Sequence, residues 1–157
     1  MMDAKQRLFF NLARMQRFYF EVVREKIGDQ PIHPKQGPIL GALMHHDGLS
    51  QADLVRMLGV RAATVAVSIG RLEKLGFVKR EHDEHNRRAY VLALTEAGRS
   101  EAEMVQNAME EVRDGALMDF TDQELECISS YCERMLQNMA ALYQPGKEGD
   151  LHPCTKC

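Results

Sequence analysis

No apolar run in the 157-residue sequence approaches the ~20 residues needed to span a bilayer. The N-terminal Met1-Met2-Asp3-Ala4-Lys5 also lacks the long apolar segment of a signal peptide. A cytoplasmic protein without a membrane partner is therefore expected. Cysteine is absent from the first 126 residues, and Cys127, Cys132, Cys154 and Cys157 do not form the evenly spread framework of a secreted disulfide scaffold. There is no nucleophile–base pair, phosphate-binding glycine loop or dense metal cluster, so an enzyme is not expected. Internal repeats and low-complexity tracts are also missing. With 45% hydrophobic and 27% charged residues, the composition suits one globular domain of ordinary size.

A positive net charge is missing too: the formal value is −3, which argues against a nucleic-acid partner if only the sum is considered. The distribution reverses that inference. Arg56 to Arg88 holds eight Lys/Arg against four Asp/Glu, whereas Glu101 to Glu126 holds nine acidic residues and one basic, Arg113. Phosphate binding displaces counterions condensed on the duplex, and this needs local rather than overall positive charge. The acidic stretch itself reads as a solvated helix face and connection.

Leu8, Leu12, Met15, Tyr19 and Val22 recur at helical spacing over residues 3–27, and Phe9, Phe10, Phe18 and Phe20 widen the apolar surface. Such a helix is expected to be buried on several sides, beyond what one core needs, with Gly28 as its stop. A second helix starts near Pro34 and ends around His46-Asp47-Gly48. A short third helix is capped by Ser50, with Asp53 at its positive end, and is broken by Gly59. A fourth runs from Ala62 to Leu75 and stops at Gly76. Phe77–Glu81 and Ala89–Leu94 read as strands around a polar tip, residues 82–88. Thr95 caps a helix to about Leu117. Thr121 and Glu124 form a capping box opening a last helix to about Tyr143, with Ile128, Tyr131, Met135, Met139 and Leu142 on one face.

Two short helices around a glycine turn, followed by a hairpin, describe a winged helix-turn-helix. In such a unit the second helix enters the major groove, and a basic hairpin tip reaches the neighbouring minor groove. Leu49-Ser50-Gln51-Ala52-Asp53-Leu54, Leu58-Gly59-Val60, Arg71-Leu72-Glu73-Lys74-Leu75-Gly76-Phe77-Val78 and the run from Asn86 to Arg99 closely resemble the MarR family of bacterial transcription regulators. The resemblance covers residues 5 to 143, including helix order. It implies a mainly α fold: a winged helix-turn-helix with a small β-hairpin wing and a helical dimerisation region formed by the N- and C-terminal helices. The expected organisation is one domain over 1–143, with a DNA-binding lobe at 33–94 and dimerisation helices at 3–28 and 95–143, then a tail over 144–157.

The resemblance further implies a homodimer on a pseudo-palindromic promoter site in double-stranded DNA, with repression or activation of the promoter as the outcome and repression relieved by a small-molecule effector as the leading expectation. Arg88 matches the family's wing arginine, with Arg87 beside it, and Thr64, Ser68 and Arg71 fall on the outward side of the reading helix. This chain departs from the family at two places. Arg61 stands where an acidic residue often braces the wing arginine, and Val67 where a polar residue is common. With Ala62, Ala63 and Ala66, this face is expected to contact phosphate through Arg61 and thymine methyl groups through its apolar side chains. Arg56, Lys74, Lys79 and Arg80 are candidate phosphate contacts. Arg14, Arg17 and His45 are candidates for an effector pocket.

No cofactor is expected, with one reserved position. His152, Cys154 and Cys157 offer three zinc ligands, one short of a closed structural site. A redox pair and a reduced, unliganded tail are the other readings, so the alternative function is a metal- or thiol-responsive regulator switching through this tail. Cys127 and Cys132, five apart on a helix, are expected to be buried small residues. The family's peroxide-sensing branch uses a cysteine in the first helix, which this chain lacks.

Overall fold

Asp3 opens the first helix in the computed structural model, which describes residues 2–46, 48–82 and 90–142. Its carboxylate accepts from the Gln6 N–H at 2.8 Å while the Gln6 side chain accepts from the Asp3 N–H at 3.0 Å. The reciprocal pair satisfies two otherwise orphan amides. Helix α1 (Ala4–Ile27) ends at Gly28, where φ of 66° favours a residue without Cβ. A single 3-10 turn at Pro34–Gln36 leads into α2 (Gly37–His45), so the helix expected from Pro34 begins as a tighter turn. Gln36 is buried, and its side-chain oxygen is satisfied by the His33 N–H at 3.0 Å.

Helix α3 (Gln51–Leu58) starts with a full capping box rather than the simple cap expected from Ser50. The Asp53 N–H donates to Ser50 Oγ at 3.2 Å, and the Ser50 N–H and hydroxyl donate to Asp53 Oδ2 at 2.8 and 2.6 Å. These bonds from Ser50 are the main reason the Asp53 carboxyl is held below its ordinary pKa. A depressed carboxylate contributes stability above its unfolded-state value, and that contribution is lost as pH falls through the folded value. Ser50→Ala is expected to cost about 1 kcal/mol at neutral pH. Paired urea melts should show the difference between variant and parent shrinking as pH is lowered below about 4.

Gly59, at φ 61°, turns the chain into α4 (Ala62–Lys74), and Gly76, at φ 74°, turns it out again. Strands β1 (Val78–His82) and β2 (Tyr90–Leu94) pair antiparallel, Val78 opposite Leu94. The Leu92 N–H also donates to the Leu49 carbonyl at 2.8 Å, stitching the hairpin to the segment before α3. Thr95 caps α5 (Glu96–Ala116), accepting from the Gly98 N–H at 3.0 Å and donating its hydroxyl to the Gly76 carbonyl at 2.6 Å. One side chain thus fixes the exit of α4 to the start of α5. Thr121 and Glu124 form the expected box at α6 (Asp122–Leu142).

The core gathers Val23 and Ile27 of α1, Ile39, Leu40 and Leu43 of α2, and Ala102, Val105 and Ala108 of α5. It continues through Leu54, Val65, Ile69, Leu72, Phe77 and Leu92 into the helix-turn-helix and hairpin. Fully burying each large aliphatic side chain contributes ~1.5–3 kcal/mol before entropy is counted. In a single chain α1 is not buried on several sides as expected. Only Val23 and Ile27 are buried, while Phe9, Phe10 and Phe18 are exposed. Helix α6 has no buried residue, so Cys127 is exposed and Cys132 half-buried, which corrects their expected burial. The periodicity that marks these faces as apolar does not say which molecule covers them.

Candidate nucleic-acid interface

Val65, Ile69 and Leu72 pin one side of α4 into the core with no exposed surface. The opposite stripe, Ala63, Val67, Arg71 and Lys74, is therefore forced outward, because residues four apart lie on one helix face. Val67 is 73% exposed. Ala62, Thr64 and Ala66 are exposed beside it, whereas Ser68 is half-buried at the edge of the face. Arg61 occupies the N-cap without making a side-chain cap, so its guanidinium is not spent on the helix end.

The flanking cations are largely engaged. Arg80 donates to both Glu73 oxygens, at 2.7 and 3.4 Å, bracing β1 against α4. Lys79 pairs with Glu81 at 2.7 Å, and Arg56 pairs with Asp53. Lys74 has no ion-pair partner among the described residues. Exposed pairs of this kind are worth only ~0–1 kcal/mol, so exchanging a carboxylate for a phosphate is cheap. Arg71 donates at 3.2 Å to the Pro31 carbonyl in the segment joining α1 to the 3-10 turn. The hairpin tip with Arg87 and Arg88 lies outside the described residues, as do His152, Cys154 and Cys157. Among the described residues, no group of three or more His, Cys, Asp or Glu is placed to hold a metal ion.

A cavity of about 620 Å³ lies between α1 and the 3-10 turn, lined by Ala13, Gln16, Arg17, Phe20, Glu21, Arg24, His33 and Lys35. It includes Arg17 of the candidate effector residues, but Arg14 and His45 are not among its lining. Arg24, His33 and Lys35 were missed. Ala13, Arg17, Phe20 and Arg24 share one face of α1 by helical spacing, but that spacing carries no sign of the turn that faces it. Burial first, then the charges of Lys35, Arg24 and Arg71, hold the His33 imidazole below its ordinary pKa. Its Nδ1 accepts the Lys35 N–H at 3.1 Å, as a neutral ring can. Arg17, Arg24 and Lys35 are countered by one carboxylate in the lining, that of Glu21, which pairs with Arg17 at 3.7 Å, so the wall keeps a net positive charge.

The model of the MarR family matches residues 30–89. The HTH-type transcriptional regulator YybA of Bacillus subtilis is 30% identical over 108 residues, covering 69% of this chain and 72% of that protein. The chain belongs to the MarR family. The transcriptional activatory protein BadR of Rhodopseudomonas palustris is 28% identical over 145 residues, 90% of this chain and 83% of BadR. A probable transcriptional regulator from Pseudomonas aeruginosa superposes with a TM-score of 0.68 at 28% identity, covering 82% of this chain and 96% of that one. In this chain the two-stranded hairpin β1–β2 follows α4 directly. The relatives are transcription regulators, not enzymes, and this chain is a MarR-family transcription regulator. No helix among the described residues is long and apolar enough to cross a membrane.

Proposed function

We propose that the chain binds a pseudo-palindromic promoter site as a homodimer, with α4 of each protomer in the major groove. The observation that carries this reading is the outward stripe Ala63, Val67, Arg71, Lys74 on a helix whose other side is locked in the core. Arg61 and Lys74 supply phosphate contacts, with Arg87 and Arg88, which lie in the sequence between β1 and β2, as further candidates. Ala62, Ala63, Ala66 and Val67 have no hydrogen bonds to give, so they read bases by contact with thymine methyl groups. Occupancy by the dimer occludes the promoter, making repression the direct outcome. BadR is named for activation, so the position of the site relative to the promoter sets the sign. The ligand that relieves binding is an anion with an apolar body, held in the cavity beside Arg17, Arg24 and Lys35.

Binding-site selection with the full chain should return inverted half-sites one helical turn apart. In the selected duplex, replacing a contacted thymine by deoxyuridine removes one methyl and should weaken binding about 4-fold. The Val67→Ser variant should lose that sensitivity. Failure to enrich any sequence contradicts DNA recognition, and indifference to uracil contradicts the methyl reading.

A further inference from the structure

Three consecutive carbonyls, those of Gln30, Pro31 and Ile32, are held from two sides by arginines of different elements. Arg24 Nη1 on α1 donates to Gln30 at 3.0 Å and to Ile32 at 2.8 Å. Arg71 Nη2 on the outward side of α4 donates to Pro31 at 3.2 Å. Ile32 and Pro34 are fully buried and anchor the far end of the segment, whereas Gln30 is half-buried and Pro31 exposed, so the position of the Pro31 carbonyl is left to the hydrogen bonds. Arg24 also lines the cavity, and His33, the next residue along, lies in the field of both Arg24 and Arg71.

We infer that Arg24 is a positioning residue for DNA recognition, acting through residues 30–32 on Arg71 and hence on the seating of α4. This rests on the DNA-binding reading above and adds to it the route by which the cavity reaches the reading helix. Arg24 fixes where the Pro31 carbonyl sits. That carbonyl fixes the Arg71 guanidinium and the distance between α4 and α1. An anion that draws Arg24 into the cavity takes a donor from two carbonyls at once, and the segment then no longer presents Pro31 to Arg71. The coupling runs through contiguous hydrogen bonds between two named side chains, so it can be measured directly.

The experiment is a double-mutant cycle on the affinity of the full chain for its selected duplex, with melting curves for every variant. Arg24→Gln should weaken binding about 3- to 30-fold in the parent and less than about 2-fold in an Arg71→Ala background. Arg24→Lys should keep most of the affinity, because a single nitrogen makes both bonds to the segment. Benzoate, used as a probe anion against chloride at matched ionic strength, should weaken the parent complex and spare that of Arg71→Ala. Additive losses in the cycle, or equal benzoate effects in both backgrounds, overturn the inference while leaving DNA binding in place. A loss from Arg24→Gln that persists undiminished beside Arg71→Ala would mean that Arg24 only stabilises the fold. Absence of duplex binding by the parent chain overturns the DNA reading and this inference together.

Discussion

Gly98→Ala is expected to destabilise the protein by about 3 kcal/mol or more, the upper part of the range for overpacked interiors. Gly98 lies in the first turn of α5, and a Cβ built there would fall 1.8 Å from the Phe77 carbonyl oxygen and 2.7 Å from its carbon. Both are backbone atoms, so no rotamer change relieves the clash. Phe77 cannot retreat either. Its N–H donates to the Leu72 carbonyl at 2.9 Å, and its carbonyl accepts from the Thr95 N–H at 3.0 Å. The melting temperature should fall by roughly 10 °C for a chain of this size. At Gly37 a Cβ meets the Met109 sulfur at 2.5 Å, but that is a flexible side chain, so Gly37→Ala should cost less than Gly98→Ala. Thermal melts of the two variants beside the parent give the comparison. A Gly98→Ala protein that melts with the parent would contradict the packing of the wing against α5.

The second large effect concerns assembly. Phe9 and Phe10 of α1 are 55% and 57% exposed in a single chain, and Leu142 of α6 is 83% exposed. Phe18, Tyr131 and Leu136 are exposed with them. Monomeric soluble proteins rarely leave so many large apolar side chains on two helices in water. The homodimer proposed here covers them. Burying one Phe contributes about 1.5–3 kcal/mol, so the Phe9→Asp, Phe10→Asp double variant should weaken self-association by at least about 100-fold. Sedimentation velocity at micromolar concentration should show a dimer for the parent and a monomer for the variant. The variant should also lose most of its affinity for a duplex with two half-sites, because each protomer then binds alone. A monomeric parent chain would contradict this part of the account.

The parts legible in the sequence are those decided locally. Gly28, Ser50, Gly59, Gly76, Thr95 and Thr121 punctuate the chain through φ preference and capping, and each lies at the helix boundary its chemistry indicates. The outward stripe on α4 follows from periodicity once Val65, Ile69 and Leu72 are taken as core. What could not be read depends on partners distant in sequence. The cavity needs the turn at His33 to face α1, and the Arg71 to Pro31 bond spans forty positions. Arg80 is a candidate phosphate ligand by its charge alone, yet in the fold it braces the wing through Glu73. Cys127 and Cys132 show the limit of burial arguments from composition, since an apolar helix face can stay open to solvent within one chain.

The most direct test of the central claim is the salt dependence of duplex binding by the dimer. With Arg61, Lys74 and the wing arginines of two protomers neutralising phosphates, log K should fall linearly with log salt, with a slope of about −5 or steeper. Arg61→Ala should reduce that slope by about 1 per protomer while leaving the preferred sequence unchanged. An affinity that does not change with salt, or no binding to duplex DNA at low salt, would contradict it.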